Sequence, residues 1–223
     1  MDIRNLDGEI IFTHDGPLAG AHLPRTELWR PDLRDLSFAD ADLSSVCFFD
    51  VMAARADFHG ANMEGAYVDG NLEGASFRGA DLYWAILDGA NLEGADLSDA
   101  TLQGASLYGA CFRRADLRRA NLSTDNLGGQ TRFDSNCLES ANLAGANLRG
   151  TLLIDTDLRN ANLRGANLGP DELGHPASLR NVDFTGAILT DANLQGVVYD
   201  DRTIFATGFQ PDKHGMTRAR VKR

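Results

Sequence analysis

The sequence repeats every five residues over most of its length, and this period constrains the fold more than any other feature. Leu or Phe occupies every fifth position without a break from Leu72 to Leu127, and the residue two places earlier is usually Ala. A period of five fits neither an α-helix, with about 3.6 residues per turn, nor a continuous strand, in which side chains alternate. The chain must therefore fold as short units joined by turns.

Similar runs lie on both sides of this stretch. Residues 23–68 keep the same period and reach Leu72 by a four-residue step, and residues 133–168 and 179–199 continue the pattern in shifted registers. The segments GGQT and GPDELGHPAS break the rhythm by only about one residue each. We therefore expect both segments to be local bulges in a regular structure.

Each repeat reads as a short extended unit followed by a turn. Ala and Leu lie two residues apart, so both point to one side of the backbone, whereas the Asp or Asn between them points to the other. The remaining two residues must turn the chain, and the second is often Gly, which accepts the positive φ of many tight turns. Repetition of this unit closes a coil around an apolar interior. One coil exposes both of its open ends, so stability depends on stacking and on terminal caps.

The tandem Ala-Asp/Asn-Leu-x-x pattern, as in GADLYWAILDGANLEGADL, resembles the pentapeptide repeat family. The resemblance implies an all-β fold, a right-handed parallel (quadrilateral) β-helix with about 20 residues per coil. We expect an N-terminal cap over residues 1–17, the β-helix over residues 18–199, and a C-terminal cap with a basic tail over residues 200–223. About nine coils, spaced by about 4.8 Å, would make a prism roughly 43 Å long.

Apolar residues near the two ends have two interpretations. Trp29 and Phe49 lie 20 positions apart on the outside of the prism, where the N-terminal Ile10-Ile11-Phe12 segment could cover them or a partner could bind them. Phe205 and Phe209 could form the C-terminal cap or a homodimer contact. The final segment MTRARVKR is expected to be a short helix or a disordered end.

The sequence lacks the residue patterns of catalytic and metal sites. Cys47, Cys111 and Cys137 form no Cys-x-x-Cys pair, and a count by repeats places them on different sides of the prism, so we expect free thiols. The five histidines are scattered, and the regular outward Asp residues are typical of a solvated face. We therefore expect a non-enzymatic protein with no catalytic residue, no bound metal and no cofactor.

Other features bear on location and nucleic-acid binding. The N-terminus lacks a secretory signal, and no apolar stretch approaches the length of a membrane span. We expect a cytoplasmic protein without membrane contact. Arg113, Arg114, Arg118 and Arg119 form a basic patch, but acidic neighbours favour an ion-paired face over direct nucleic-acid binding.

Charge is unevenly distributed along the chain. The net charge is −11, with 19 acids and 6 bases in residues 1–110 but 13 acids and 15 bases in residues 111–223. Several pentapeptide repeat proteins mimic B-DNA and bind type II topoisomerases, so the resemblance implies this function here. B-DNA carries one charge per about 1.7 Å, which is about 13 charges over the roughly 22 Å of the acidic half. The candidate partner-binding carboxylates are those of Asp42, Asp57, Glu64, Asp69, Glu73, Asp81, Asp88, Glu93 and Asp96.

Two functions therefore stay open. The first is a DNA-mimicking protein that binds DNA gyrase or topoisomerase IV and protects it from poisons. Gyrase-protecting members of the quinolone-resistance type carry long projecting loops, and the sequence shows no insertion of that size. The second is a general protein-interaction scaffold, favoured by the ending VVYDDRTIFATGFQPDKHG, which resembles the C-terminal cap of many bacterial members.

Overall fold

A computed structural model describes residues 1–219, which form a right-handed parallel β-helix. On one side the outward residues pair from coil to coil in nine rungs, from His22 to Asn193. The usual spacing between paired residues is 20 positions, as between Asp42 and Asn62, and the coil between Asp57 and Ser76 is one residue shorter. The predicted fold class and the number of coils are confirmed.

Each coil has four sides, which we number in chain order by their outward-facing columns. The columns are Asp42, Asn62 and Asp81 on side 1; Cys47, Tyr67 and Ile86 on side 2; Asn71, Asn91 and Cys111 on side 3; and Asp57, Ser76 and Asp96 on side 4. Two turn residues join one side to the next, and each corner is named by the sides that it joins.

Most sides are too short to count as strands and pair through single bridges. The longer extended segments are β1 (Asp2–Asn5), β2 (Ile10–Thr13), β3 (Glu27–Trp29), β4 (Pro31–Asp32), β5 (Cys47–Met52), β6 (Tyr67–Asn71), β7 (Val198–Tyr199) and β8 (Thr217–Arg218), with a 3-10 turn at Pro211–His214. β5 pairs in parallel with β3 and β6, whereas β1 pairs antiparallel with β2 and β4. Within residues 1–219, no helix has the length and hydrophobicity to cross a membrane.

The core is a stack of Leu, Phe and Ala side chains that point inward from all four sides. Because the coils stack in register, like side chains lie over one another. Phe58 stacks between Phe38 and Phe77, with ring centroids 5.2 and 5.0 Å away, and all three rings are buried. Each coil therefore depends on its neighbours for most of its packing.

The outward Asp or Asn of each repeat stabilises the following turn. Its side-chain oxygen accepts a hydrogen bond from the backbone N–H two residues later. Asp81 accepts from Tyr83 at 3.0 Å, and Asp96 accepts from Ser98 at 2.9 Å. This Asx turn leaves the second corner residue with a positive φ, adopted by Gly94 and also by Asp99. The repeat therefore selects Asp and Asn for turn geometry as well as for charge.

Two caps close the ends of the prism. At the N-terminus, Ile3 is buried, and Ile11 and Phe12 pack against the core. At the C-terminus, Phe205 stacks between Phe184 and Phe209, with centroids 5.7 and 5.0 Å away.

The expected form of the basic tail is corrected in part. Thr217 and Arg218 belong to β8, which pairs in parallel with β7. They are therefore neither helical nor disordered, and edge pairing to the last coil is the reason. The remainder of the tail, residues 220–223, lies outside the described part of the chain.

The two expected bulges are instead loops, and the prediction was wrong. Asn121 pairs with Asn147, and Asn167 with Asn193, so the intervening coils span 26 positions instead of 20. Each loop adds six residues. Because the repeat period is five, six added residues shift the sequence pattern by only one position. Leu127, counted above as a core residue, lies at a loop tip and is 78% exposed.

We expect Phe58→Ala to destabilise the protein strongly, because it removes the central ring of the buried stack. Comparable truncations cost about 3–5 kcal/mol. The matched control is Tyr108→Ala, which truncates a half-exposed ring and should cost about 0.5 kcal/mol or less. Guanidinium unfolding followed by far-UV circular dichroism measures both, and equal losses would contradict the stacked core.

Candidate functional site

Both loops project from corner 1–2, which makes this corner unlike the other three. Loop A comprises residues 123–130 and follows Leu122, and loop B comprises residues 169–176 and follows Leu168. One coil separates the two loops, and it crosses the same corner at Arg149 and Gly150. The loops are therefore neighbours on one edge of the prism.

The two loops close in the same way. In loop A, Asp125 Oδ1 accepts hydrogen bonds from the backbone N–H groups of Leu127 at 2.8 Å and Gly129 at 2.7 Å. In loop B, Asp171 Oδ1 accepts the corresponding bonds from residues 173 and 175, at 2.9 and 2.7 Å. Their shared sequence, Asp-x-Leu-Gly, is the signal that could have identified them as loops.

Loop A leans toward the N-terminal end of the prism and contacts Trp84, two coils away. The indole N–H of Trp84 donates a hydrogen bond to the Asp125 carboxylate. Gly104 lies between them in the intervening coil, where a Cβ would come within 2.6 Å of Trp84 Nε1. The glycine therefore makes room for this contact.

Glycines in the later coils of corner 1–2 make room for loop B in the same way. A Cβ on Gly150 would come within 2.9 Å of the Asp171 carboxylate of loop B, and one on Gly196 within 3.3 Å of Pro170. Glycine thus occupies the corner in the coils beside the loops. Leu173 in turn lies against Gly128 of loop A, so Trp84, loop A and loop B form a continuous ridge.

The ridge is apolar at its top and polar at its base. Leu127, Leu173 and Trp84 are 78%, 58% and 49% exposed. Between the loops lies a cleft of about 250 Å³. Its polar lining includes Gln103, Asn121, Asn147, Arg149, Asp171 and Glu172. Exposed apolar side chains bordered by polar groups are typical of a protein contact.

The environment of Asp125 sets its protonation. Burial acts to raise its pKa, but hydrogen bonds from the N–H of Gly129, the indole of Trp84 and the N–H of Leu127 together hold the pKa below the ordinary value of 3.8. Asp125 is therefore a charged acceptor at neutral pH, which strengthens both the loop closure and the indole contact.

We expect Gly104→Ala to displace Trp84 from Asp125, since the new methyl group collides with the indole. The matched control is Gly109→Ala, which has a similar positive φ of 68° against 71° but nothing within 4 Å of the added carbon. Both variants should lose about 1 kcal/mol from the left-handed backbone. Only Gly104→Ala should also shift Trp84 fluorescence, measured with Trp29→Phe as background, and a shift in neither variant would contradict the packing.

The Trp84–Asp125 contact should also respond to acid. Because the folded pKa of Asp125 lies below its ordinary value, the contact stabilises the fold above that value and is lost as pH falls through the folded pKa. We expect Trp84 emission in the Trp29→Phe background to change only below about pH 4. Asp125→Asn, which keeps one oxygen acceptor, should remove the change. A transition centred well above pH 4 would contradict this assignment.

Residues 54–94, 85–123, 137–169 and 177–198 match the profile described as pentapeptide repeats, with eight copies. Together these segments cover more than half of the chain. The chain belongs to the pentapeptide repeat family. No curated protein sequence matches it.

Solved structures of other pentapeptide repeat proteins are similar to this chain at low identity. HetL, involved in heterocyst differentiation regulation in the cyanobacterium Nostoc, is 27% identical over 89% of this chain and 85% of its own, with a TM-score of 0.37. The plasmid-mediated fluoroquinolone resistance protein QnrB1 is 24% identical over 82% and 84%, with a TM-score of 0.42. A thylakoid-lumen protein of Arabidopsis thaliana is 25% identical over 56% and 72%, with a TM-score of 0.38.

The nine carboxylates singled out from the sequence surround the N-terminal half of this pentapeptide repeat protein. Asp69 and Asp88 lie at corner 2–3, and Glu73 and Glu93 at corner 3–4, so these four border side 3 from both edges. The others are Asp42 and Asp81 on side 1, Glu64 at corner 1–2, and Asp57 and Asp96 on side 4. Side 3 therefore has four of the nine at its two edges, and side 4 has as many, with two at corner 3–4 and two on the side itself.

Some of these carboxylates are already paired. Asp42 contacts His22 at 2.7 Å, Asp57 contacts His59 at 2.9 Å, and Glu93 pairs with Arg114. In contrast, Asp69 and Asp88 form no ion pair among residues 1–219. Asp69 accepts the Tyr67 hydroxyl at 2.9 Å, and Asp88 accepts Ser106 Oγ at 2.7 Å.

The exposed aromatic pair lies at the same edge as Asp69 and Asp88. Trp29 stacks on Phe49 with centroids 4.2 Å apart, and Phe49 contacts Tyr67 at 5.1 Å. Trp29 remains 65% exposed, because the N-terminal hairpin pairs with β4 on the next side instead. The N-terminal segment therefore does not cover it.

The basic patch is an ion-paired face, as predicted. Arg119 forms two hydrogen bonds with Asp99 of the preceding coil, at 2.7 and 2.6 Å, and Arg118 contacts Asp116 at 2.5 Å. Arg114 pairs with Glu93, and Arg113 lies 3.5 Å from a carboxylate oxygen of the next coil. Three of the four guanidinium groups thus connect successive coils, and that of Arg118 pairs within its own coil.

The expected separation of the cysteines was wrong for one pair. Cys111 and Cys137 are neighbours in adjacent coils of side 3, because the six extra residues of loop A shift the count. Cys47 lies on side 2.

One group of possible metal donors lies beside Cys137. Donor atoms of Cys137, Glu139 and Asp157 lie within 4.8 Å of one another. Arg159 binds both oxygens of Asp157, at 2.9 and 2.6 Å. Arg113 contacts Glu139, so guanidinium groups already neutralise both carboxylates.

Proposed function

We propose that this protein is a non-enzymatic binding protein whose acidic N-terminal half mimics duplex DNA in the basic groove of a type II topoisomerase, DNA gyrase or topoisomerase IV. Binding would modulate the enzyme or protect it from poisons. The observation that carries the proposal is the set of carboxylates along the edges of side 3, on a rod whose rungs are about 4.8 Å apart.

The charges on side 3 are available to a partner. Asp69 and Asp88 accept only neutral donors within residues 1–219. Glu73 lies beside Arg55, whose guanidinium is held by two bonds to Asp35, at 2.7 and 2.8 Å. A basic groove would therefore meet Asp69, Asp88 and Glu73 without first breaking an ion pair, whereas Glu93 would have to release Arg114.

The rigidity of the rod also favours mimicry. Each of these residues sits on a backbone paired with the coils before and after it, so the charges keep fixed spacings. Preformed charge arrays avoid the entropic cost of ordering on binding. Association driven by such charges should be fast and should weaken with salt.

The second candidate, a general protein-interaction scaffold, is favoured by the apolar ridge at corner 1–2. A DNA duplex offers no equivalent of the exposed Leu127, Leu173 and Trp84. A partner that recognises this ridge would bind through apolar contact with little dependence on salt. Salt dependence therefore separates the two proposals.

Homodimerisation through an end cap stays a proposal. Phe205 and Phe209 pack on the last coil and are only partly exposed, whereas Ile204 is half exposed at the same end. A small apolar contact at this end would leave the acidic sides free for a partner.

We expect the purified protein to inhibit gyrase supercoiling, or to protect gyrase from a quinolone, in a manner that fades between low and moderate salt. Replacing Glu73, Asp88 and Glu93 by Lys should abolish the effect, because all three border side 3. The matched pair is Glu73→Lys against Glu64→Lys. Each glutamate precedes a corner glycine, and within residues 1–219 neither side-chain carboxylate accepts a hydrogen bond.

Several outcomes would decide between the proposals. Unchanged activity of the triple variant, with correct folding by circular dichroism, would reject mimicry by side 3. Equal effects of Glu73→Lys and Glu64→Lys would indicate a general charge effect. No effect of the wild type on gyrase or topoisomerase IV would leave the scaffold proposal, and replacement of Leu127 and Leu173 by Ser would then test the ridge.

A further inference from the structure

Cys111 and Cys137 are lateral neighbours on side 3, with parallel pairing between their coils. Neighbouring parallel strands place paired Cα atoms about 4.8 Å apart. Disulfides join Cα atoms that are about 4.4–6.8 Å apart. Both side chains occupy outward slots and are partly exposed, so the backbone already holds two thiols at a separation that a disulfide can bridge.

The two thiols replace groups that would stabilise the turns. Elsewhere in this column, Asn91 accepts the N–H of Glu93 at 3.2 Å, and Asp157 accepts the N–H of Arg159 at 3.0 Å. A cysteine has no side-chain oxygen, so both rungs lack this Asx bond. Turn geometry therefore does not explain two successive cysteines at this point.

An arginine side chain contacts Cys137. Arg113 Nη2 lies 3.9 Å from Cys137 Sγ, and reactive cysteines generally lie beside such positive groups. Glu139 and Asp157 are also close, but each is in contact with Arg159, at 3.9 and 2.6 Å. In contrast, burial and then Glu27 raise the pKa of Cys47 on side 2.

We propose that Cys111 and Cys137 form a reversible dithiol–disulfide site that is oxidised by low-molecular-weight disulfides such as oxidised glutathione. The Cys137 thiolate attacks one sulfur of glutathione disulfide, whose S–S bond breaks and releases one glutathione thiolate. The Cys111 thiolate then attacks the Cys137 sulfur of the mixed disulfide and releases the second glutathione. The protein loses two electrons and two protons, and one glutathione disulfide becomes two thiols.

The disulfide would enclose loop A. Cys111 precedes the loop and Cys137 follows it, 26 positions later. A covalent link between these coils restricts the opening of the segment between them. Oxidation would therefore hold loop A, and its contact with Trp84, in the folded arrangement.

The test is peptide mapping of the reduced full chain after incubation with oxidised glutathione under native conditions. Trypsin places the three cysteines in separate peptides, residues 35–55, 79–113 and 133–149. We expect a non-reducing digest to contain peptide 79–113 linked to peptide 133–149, and dithiothreitol to separate them. Cys47→Ser should leave this link unchanged.

Single variants test the order of the two steps. Cys111→Ser should trap glutathione on Cys137, because no resolving thiol remains. Cys137→Ser should react more slowly than Cys111→Ser, since its remaining thiol lacks the Arg113 contact. Equal rates would overturn the assignment of Cys137 as the attacking thiol. Links that involve Cys47, links between two chains, or separate mixed disulfides on both cysteines in the wild type would overturn the site.

Hydrogen exchange tests the link to loop A. In the oxidised protein we expect slower exchange across residues 123–130 and a melting temperature higher by about 5 °C. Residues 35–55, on earlier coils, serve as the internal reference. If loop A exchanges at the same rate in both redox states, the disulfide does not restrict the loop, and that part of the proposal is wrong. The disulfide itself is tested separately by the peptide mapping.

Discussion

Backbone hydrogen bonding between successive coils is the interaction on which the rest of the structure depends. Leu82 N donates to Thr101 O at 2.7 Å, and Thr101 N donates to Ala80 O at 3.0 Å. This exchange recurs on every side, so the backbone groups of one coil are satisfied by the next. Because these bonds fix the register, equivalent side chains must stack, which produces the Phe58 column inside and bonds such as Asn162 to Asn142 outside.

The same register confines chain-length changes to the corners. The coil before Ser76 is one residue shorter than usual, and two later coils are each six residues longer, yet the sides realign after each change. Only turn residues can be added or removed without moving an inward side chain to the outside. Surface chemistry that departs from the repeat must therefore lie at corners or in outward slots, which is where loops A and B, Trp84 and the paired cysteines are found.

This constraint explains which features of the structure could be predicted from the sequence. The period, the outward Asp and the corner Gly together predicted a coil and its core, and the resemblance to the pentapeptide repeat family supplied the four sides and therefore the number of coils. Loop A was missed because six added residues look like one when the period is five, and the same error placed Leu127 in the core and separated Cys111 from Cys137. The contact of Trp84 with Asp125 could not be predicted from spacing, since it depends on the direction in which a loop leans.

Because loop A leans toward the N-terminal end, its apolar side chains lie beside acidic ones. Loop A belongs to the half of the chain with a small positive charge, but it reaches back to Trp84 in the acidic half. Glu64 and Leu127 consequently border the same shallow surface at corner 1–2, whereas side 3 presents carboxylates without an equivalent ridge. A partner that bound only by charge would use side 3. One that needed both charge and apolar contact would meet them where loop A crosses into the acidic half, or where Trp29 lies near Asp69 at corner 2–3. The position of a six-residue insertion thus decides which surface of a regular rod is chemically distinct.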